Sequence, residues 1–489
     1  MAEKNKTGSY KKLISNTIIF ALGSFSSKVL VLFLVPIYTN YLTTEQLGQT
    51  DLIIQIANWL VPIFSLTVYE AMIRFGLDRA VDKKQVFTIG NAVVFSGLAM
   101  LSVIMPVVSL TGVLESYVGQ YTVLLYVYVC TASLRWVYSS FVRSLEMVRL
   151  FALDGLFATF MTLAWTAVLI IGFKMDVKGY LLAIILSDLS SFLFLTFMAR
   201  LWRFIDFKHF DRELLNAILR YSIPMIPAQV LWLLTNTCDS FMSASVLGKS
   251  STGILSAAYK IPNIVSSIYL MFGQAWNMSA ITENDSDDRS DFYKNVFDAN
   301  QTLMYCLAGG CLIVVRLVTK IWIGADFQDA KLYSPILIYS MIFICFTTFL
   351  GSVYVATKQT KKTMYTSLLA GIVNVGINII FLKRFGLYAT AVSTVCGYGV
   401  VFIVRAIDAK KLVGFKFDKL IFFGSNAVLI LMVLANYIPN TAVRYLTLVG
   451  LYAVLLLINY KAIKSMLSRI LGAVTGRFRK RARQSGEYN

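Results

Sequence analysis

The side chains of this chain that could do chemistry are polar and ionisable residues set inside long apolar segments. Lys28 and Lys260 stand out, because each lies within such a segment and shares a helical face with other polar residues. A charged group at the centre of a bilayer costs roughly 2.5–3.5 kcal/mol on insertion scales, so it is expected to face protein or a water-filled cavity. The lysine ammonium is a compact point charge that suits phosphate. The two lysines therefore predict an anion-binding cavity within a membrane.

Amide and carboxyl side chains extend this candidate site. The amides expected to line it lie on the same helical faces or in neighbouring apolar segments, and they are Gln55, Asn58, Asn236, Asn263 and Gln274. The carboxyl groups that could bind a coupling ion, a proton or sodium, are Asp239, Asp188 and Glu70. Amide donors around the two lysines make the predicted cavity suitable for an anion.

Many of these residues also have a purely structural interpretation. The lysines and carboxylates could pair with neighbouring charges. Arg135 and Arg316 lie nearer the ends of their apolar segments, and we expect their guanidinium groups to reach the lipid headgroups. Asn374 and Asn378 are four residues apart on one predicted helix, and we expect them to bridge two helices.

The chain offers little material for a metal site or a catalytic centre. Its single histidine, His209, lies in a polar gap, and its six cysteines lie in apolar segments without a CxxC pair. Zinc sites need clustered Cys and His ligands. Gly248-Lys249-Ser250 resembles the end of a phosphate-binding loop, but Ser243 stands where the first glycine of that loop is required. We therefore expect no metal, no cofactor and no enzymatic activity.

The segments that would position these residues are typical of membrane-spanning helices. Of the 489 residues, 57% are hydrophobic and 15% are charged, and the mean hydropathy is +0.68. Soluble proteins carry about 25% charged residues. Segments with the roughly 20 apolar residues that a spanning helix needs are 14–38, 51–73, 87–110, 119–142, 151–173, 179–201, 221–246, 254–279, 295–319, 332–356, 364–384, 386–406, 419–438 and 444–464. We predict an all-α polytopic membrane protein with about 14 transmembrane helices.

The basic residues predict the orientation of these helices. Most of the 45 Lys and Arg lie in every second gap between apolar segments. Because basic residues accumulate in cytoplasmic loops, both termini are expected to be cytoplasmic. The net charge of +19 is then a consequence of topology and of contact with anionic lipids, and no nucleic-acid partner is expected.

An internal repeat predicts two bundles. After the first apolar segment come Leu42 and Gly48. After the seventh come Leu247 and Gly253, with the same spacing between leucine and glycine. Six spans in each half would give both halves the same orientation, as in parallel repeats. The predicted regions are a first six-helix lobe at 1–205, a second at 206–411, and two further helices with a basic tail at 412–489. An amphipathic interfacial linker is expected at 202–220.

Three motifs carry a resemblance to a known family over roughly residues 10–410. They are Pro36–Leu42 (PIYTNYL) followed by Gly48, Arg220–Pro227 (RYSIPMIP), and Gly253–Tyr259 (GILSAAY) directly before Lys260. In their order and spacing the chain resembles bacterial polysaccharide exporters of the oligosaccharide flippase (Wzx-like) type, in the multidrug/oligosaccharidyl-lipid/polysaccharide (MOP) superfamily.

The resemblance implies two six-helix lobes that open alternately to either side of a bacterial plasma membrane. It implies an undecaprenyl (polyprenyl) diphosphate-linked oligosaccharide as substrate, membrane lipids as partners, and a proton or sodium gradient as the driving force. Glycan polymerase machinery is a possible further partner. The alternatives are a flippase for the peptidoglycan lipid precursor, a MATE-type drug or cation antiporter and, from another class, an integral-membrane glycan polymerase.

Overall fold

The structure is a computed structural model that describes residues 30–78, 80–110, 112, 115–206, 210–282, 289–357 and 359–464. All regular secondary structure in these residues is helical. The helices are α1 (Leu30–Tyr41), α2 (Thr44–Phe64), α3 (Val68–Gly76), α4 (Lys83–Leu110), α5 (Glu115–Val118), α6 (Thr122–Ser144), α7 (Val148–Thr166), α8 (Val177–Met198), α9 (Arg212–Ser222), α10 (Met225–Leu247), α11 (Lys249–Thr282), α12 (Arg289–Trp322), α13 (Ala330–Ala356), α14 (Thr360–Phe385), α15 (Leu387–Val413), α16 (Lys419–Ala435) and α17 (Thr441–Ile458).

The helices follow the predicted apolar segments. Within the described residues, eight helices are long and apolar enough to cross a membrane, and the bent pair α2 and α3 would make a ninth. Shorter apolar helices are α1 and α16. Each predicted segment corresponds to one helix or to one bent pair, although the start of the first segment lies outside the described residues. The predicted all-α polytopic membrane fold is thereby confirmed.

The second predicted span is broken in its middle. α2 and α3 meet at an angle of 53°, and the two residues before α3, Leu66 and Thr67, have φ values of 49° and 47°. Left-handed backbone is costly for side chains other than glycine. Pro62 lacks an N–H group for the helix ladder. Thr67 donates its hydroxyl to the carbonyl of Ser222 at 2.7 Å, so a tertiary hydrogen bond holds the break.

The predicted segments 364–384 and 386–406 leave room only for a tight turn between them, and this turn lies at Gly386. This single residue separates α14 from α15 and has a φ of 58°, which glycine adopts without strain. Asn378 of α14 donates to Ser393 at 2.8 Å and accepts from Thr390 at 3.0 Å, and Asn374 donates to Ser393 at 3.2 Å. The expectation that the two asparagines bridge helices is correct.

A short amphipathic helix, α9, lies within the predicted interfacial linker. Asp211 caps it by accepting from the backbone N–H groups of Glu213 and Leu214. Ile218 is fully buried, and neighbouring leucines of α9 pack on the hydrophobic core while its charged residues face outward. His209 lies outside the described residues.

The described residues form two compact units. One comprises the residues up to Ala257 together with Ile321–Gln328, and the other comprises Ala258–Lys320 together with the residues from Asp329 onward. In the first unit, Phe87 packs on Phe141 with ring centroids 4.5 Å apart. In the second, Trp276 stacks on Phe349 at 4.2 Å. The predicted lobes at 1–205 and 206–411 stay a prediction.

The glycines of the predicted repeat, Gly48 and Gly253, lie against each other in the first unit. A Cβ at Gly48 would overlap the carbonyl of Lys249, the first residue of α11. A Cβ at Gly253 would overlap the carbonyl of Thr44, the first residue of α2. The two contacts are reciprocal, and the hydroxyls of Thr44 and Ser250 are 2.7 Å apart beside them. The first turns of α2 and α11 can therefore pack this closely only because Gly48 and Gly253 both lack a side chain.

We predict that Gly48→Ala and Gly253→Ala each destabilise the protein by about 1–3 kcal/mol, because the added methyl group meets rigid backbone. The measurement is the thermal unfolding midpoint of the purified protein in detergent. Gly450→Ala is the matched control, since a Cβ at this exposed position of α17 meets nothing within 4 Å. Equal midpoints for Gly48→Ala and Gly450→Ala would contradict the proposed steric requirement.

Candidate functional site

The polar faces predicted on the second and seventh spans meet in the first unit. Gln55 of α2 donates its side-chain amide to the hydroxyl of Ser240 on α10 at 3.1 Å. One turn further along α2, Trp59 stacks on Phe241 with ring centroids 4.5 Å apart. Asp239, adjacent to Ser240, is buried with 8% of its surface exposed. α2 and α10 thus bring an amide and a hydroxyl together, and a buried carboxyl lies next in sequence on α10.

Two polar atoms on this face of α2 have no hydrogen-bond partner among the described residues. They are Oε1 of Gln55 and the indole Nε1 of Trp59, and both atoms are buried. A buried polar group without a partner costs free energy, so such groups often mark a place where a ligand or water binds. Asn58 is half-buried on the same helix. Trp59 was not predicted as a site residue, although its spacing of four from Gln55 was a signal for it.

The remaining predicted substrate-binding residues divide between the second unit and undescribed positions. Lys260 is half-buried on α11, and Asn263 is exposed one turn later. Lys28 lies outside the described residues, and the side chains of Asn236 and Gln274 are likewise not described. Whether the lysines and amides share one cavity stays a prediction.

A buried charge cluster in the first unit contains one of the predicted ion-coupling residues. Asp188 of α8 pairs with Arg135 of α6 at 2.7 Å. The Nε of Arg135 donates to Ser191 at 3.2 Å, and Ser191 donates to Asp154 of α7. The expectation that Arg135 reaches lipid headgroups is therefore wrong, because a carboxylate within the protein satisfies it better.

The cluster contains two carboxyl groups and one guanidinium group. Asp154 and Asp188 are 2% and 5% exposed. Asp154 was missed by the sequence reasoning, although a carboxyl group early in an apolar segment was the signal for it. With both carboxyl groups ionised the cluster carries one excess negative charge, which is costly where little water is present. Binding of a proton or another cation would remove that cost.

Glu70, the third predicted coupling residue, lies in a different setting. It is half-buried in the first turn of α3, directly after the break in the second span. A carboxylate is favoured there because the N-terminus of a helix carries partial positive charge. Arg74 is exposed one turn further along.

A second arginine, which lies near the end of the predicted apolar segment 386–406, proves to be buried. Arg405 lies within α15 and is 6% exposed. It donates to the carbonyl of Thr347 on α13 at 2.6 Å and to the hydroxyl of Thr366 on α14 at 3.0 Å. A Cβ at Gly351 would meet this guanidinium at 2.8 Å, so the glycine makes room for it. Arg405 thus joins three helices through neutral acceptors.

We predict that Arg135→Gln destabilises the protein by up to about 3–5 kcal/mol, because it leaves Asp188 buried without its counter-charge. The double variant Arg135→Gln with Asp188→Asn should recover part of the loss. Thermal unfolding of the four members of this cycle measures the coupling. Arg143→Gln is the control, as Arg143 is exposed near the end of the same helix. Strictly additive effects would show that the pair contributes nothing.

Sequence comparison connects the chain with known membrane proteins. The family described as "Polysaccharide biosynthesis protein" matches residues 13–277. An uncharacterised membrane protein of Methanocaldococcus jannaschii is 21% identical over 206 residues, which cover 41% of this chain and 49% of that protein. The probable lipid II flippase MurJ of Thermotoga maritima is 24% identical over 262 residues, covering 50% and 53%. The chain thus spans about half the length of the curated relatives it matches.

Solved structures show the same fold over more of the chain. The lipid II flippase MurJ in an inward closed conformation superposes with a TM-score of 0.68 at 13% identity, covering 91% of this chain and 99% of that one. An inward-facing multidrug resistance MATE family transporter of the MOP superfamily superposes with a TM-score of 0.67 at 14% identity. This match covers 81% of this chain and 98% of that one. The family match extends over more than half of the sequence, and the chain belongs to the polysaccharide biosynthesis protein family.

Proposed function

We propose that this chain is an alternating-access flippase for an undecaprenyl (polyprenyl) diphosphate-linked oligosaccharide. It moves the lipid from the cytoplasmic to the outer leaflet of a bacterial plasma membrane, for synthesis of surface polysaccharide, with both termini in the cytoplasm. The observation that carries the proposal is the family match over residues 13–277, which includes the polar helices α2, α10 and most of α11. A glycan polymerase on the outer side is the expected recipient.

The residues on these helices suit the two polar parts of such a substrate. Lys260, with Lys28 as its predicted counterpart, supplies positive charge for the diphosphate. The unpartnered Gln55 Oε1 can accept a hydrogen bond from a sugar hydroxyl, and the unpartnered Trp59 Nε1 can donate one. The side-chain amides of Asn58 and Asn263 would add both hydrogen-bond donors and hydrogen-bond acceptors. We assign the sugar to the α2 side and the diphosphate to the lysines.

The driving force is proposed to be an ion gradient that acts through the charge cluster of Asp154, Arg135 and Asp188. Uptake of a proton or a sodium ion neutralises the excess negative charge of the cluster, so the loaded and unloaded states differ in electrostatic energy. Such a difference can shift a conformational equilibrium. Asp239 and Glu70 are the other carboxyl groups that could respond to the ion.

Two alternative transport functions have specific observations for and against them. The similarity to lipid II flippases favours the peptidoglycan lipid precursor as substrate, which also carries a diphosphate. The MATE-like fold favours a drug or cation antiporter, but the half-buried cation Lys260 opposes binding of another cation. A glycan polymerase is disfavoured, because the similar solved structures are those of a flippase and a transporter.

We predict that Lys260→Ala and Lys28→Ala each reduce flipping of the lipid-linked oligosaccharide by roughly tenfold or more, the effect of one lost charge-assisted contact. The measurement is the initial rate in proteoliposomes that contain a fluorescent substrate. Lys320→Ala, at an exposed lysine of α12, is the control. Wild-type rates in both single variants and in the double variant would refute the anion site.

The same proteoliposomes separate the substrates. Preference for a lipid-linked oligosaccharide over the peptidoglycan lipid precursor supports the proposal, whereas the reverse preference supports the first alternative. Gradient-driven uptake of a cationic dye without movement of either lipid would support the antiporter.

We predict that Asp154→Asn makes flipping independent of an imposed ion gradient, because the neutral amide leaves the cluster without excess charge. Rates are compared with a proton gradient, with a sodium gradient and with neither. Asp326→Asn, at an exposed carboxylate, is the control and should keep the wild-type response. An unchanged response in Asp154→Asn would exclude this cluster as the coupling site.

A further inference from the structure

Two arginines approach each other at one end of the second unit. Arg316 lies near the end of α12 and Arg444 near the start of α17. The two helices pack antiparallel, since Thr302 donates to Asn459 at 3.3 Å and Tyr452 donates to the carbonyl of Cys306 at 3.2 Å, and this register places Arg316 level with Arg444. Arg444 is 8% exposed and Arg316 is half-buried. Like charges in a place with little water repel strongly, because the low dielectric constant screens them poorly. An anion bound between the two guanidinium groups would offset this repulsion.

The hydrogen bonds of Arg444 leave part of its guanidinium available. Nη1 donates to the carbonyl of Ile438 and Nη2 to the hydroxyl of Thr441, both at 3.2 Å. These bonds hold the group in place. The Nε atoms of Arg444 and Arg316 are buried and have no partner among the described residues. Two cationic groups, each with an N–H donor that has no partner among the described residues, match the oxygen atoms of a phosphate group.

The surroundings of the pair suit a lipid better than a free ion. Tyr437 directly precedes Ile438, whose carbonyl accepts from Arg444, and the ring centroids of Tyr437 and Tyr388 lie 6.3 Å apart. The same two tyrosines line a cavity of about 500 Å³ whose other walls are mostly aliphatic, including Val392, Val433 and Leu434. A cationic pair beside an apolar cavity fits an amphiphile whose charged end is a phosphate.

We propose that Arg316 and Arg444 form a binding site for the phosphate group of a membrane lipid. Both arginines lie at the end of the second unit opposite to Lys410 and Lys416, which is the outer side in the predicted orientation. The site uses other helices than Lys260 does, so it does not depend on the proposed flipping activity.

The test measures lipid binding to the purified full-length chain by native mass spectrometry. The probes are phosphatidylglycerol, a polyprenyl monophosphate and inorganic phosphate. Arg316→Gln should weaken binding of a lipid phosphate by roughly tenfold or more, as expected for loss of one charge-assisted contact. Lys320→Gln, four residues along the same helix and exposed, is the matched control.

The lipid probes show whether the bound phosphate group belongs to a phospholipid or to a carrier lipid. An arginine-dependent preference for phosphatidylglycerol assigns the site to a phospholipid, and one for the polyprenyl monophosphate assigns it to a carrier lipid. Equal lipid binding by wild type and Arg316→Gln, or arginine-dependent binding of inorganic phosphate alone, would overturn the proposal. Lipid binding by Arg444→Gln is measured in the same way and should also be weakened. If the buried Arg444 is needed for folding, the result for Arg316→Gln decides alone.

Discussion

The described structure depends on one constraint, which is that a polar group inside an apolar bilayer must find its partner within the protein. Water cannot compensate there, so hydrogen bonds between helices take its place. Arg405 joins α13, α14 and α15 in this way. Asn378 joins α14 to α15, and Arg135 joins α6 to α8. The hydrophobic effect gives helices in lipid no reason to associate, so these contacts and close packing specify which helices are neighbours.

The same constraint gives meaning to the polar atoms that remain unmatched. Gln55 Oε1 and Trp59 Nε1 lie on α2 beside polar contacts that are made, such as the bond from Gln55 to Ser240. Saturated groups such as Arg405 hold the fold together. Groups with free donors or acceptors are where the protein can exchange its own hydrogen bonds for those of a ligand.

Much of the fold could be predicted from the sequence, because span length and apolar composition are local properties. The tight turn at Gly386 and the helix bridge at Asn378 were predicted for this reason. The buried position of Arg405 and the pairing of Arg135 with Asp188 were not, since both depend on which helices pack together. The break at Leu66 and Thr67 was also missed, because neither residue favours a left-handed backbone and a contact from Ser222 holds it.

The reciprocal contact of Gly48 and Gly253 has a consequence for how such a chain could arise. Gly48 and Gly253 are equivalent positions of the predicted repeat, and each meets the first residue of the helix that contains the other. Such a reciprocal contact is isologous, as in a two-fold symmetric homodimer. A half-length ancestor with this glycine would already pair with a second copy of itself. Gene duplication and fusion would then preserve an existing interface, and the two copies could diverge in charge while both glycines stayed constrained.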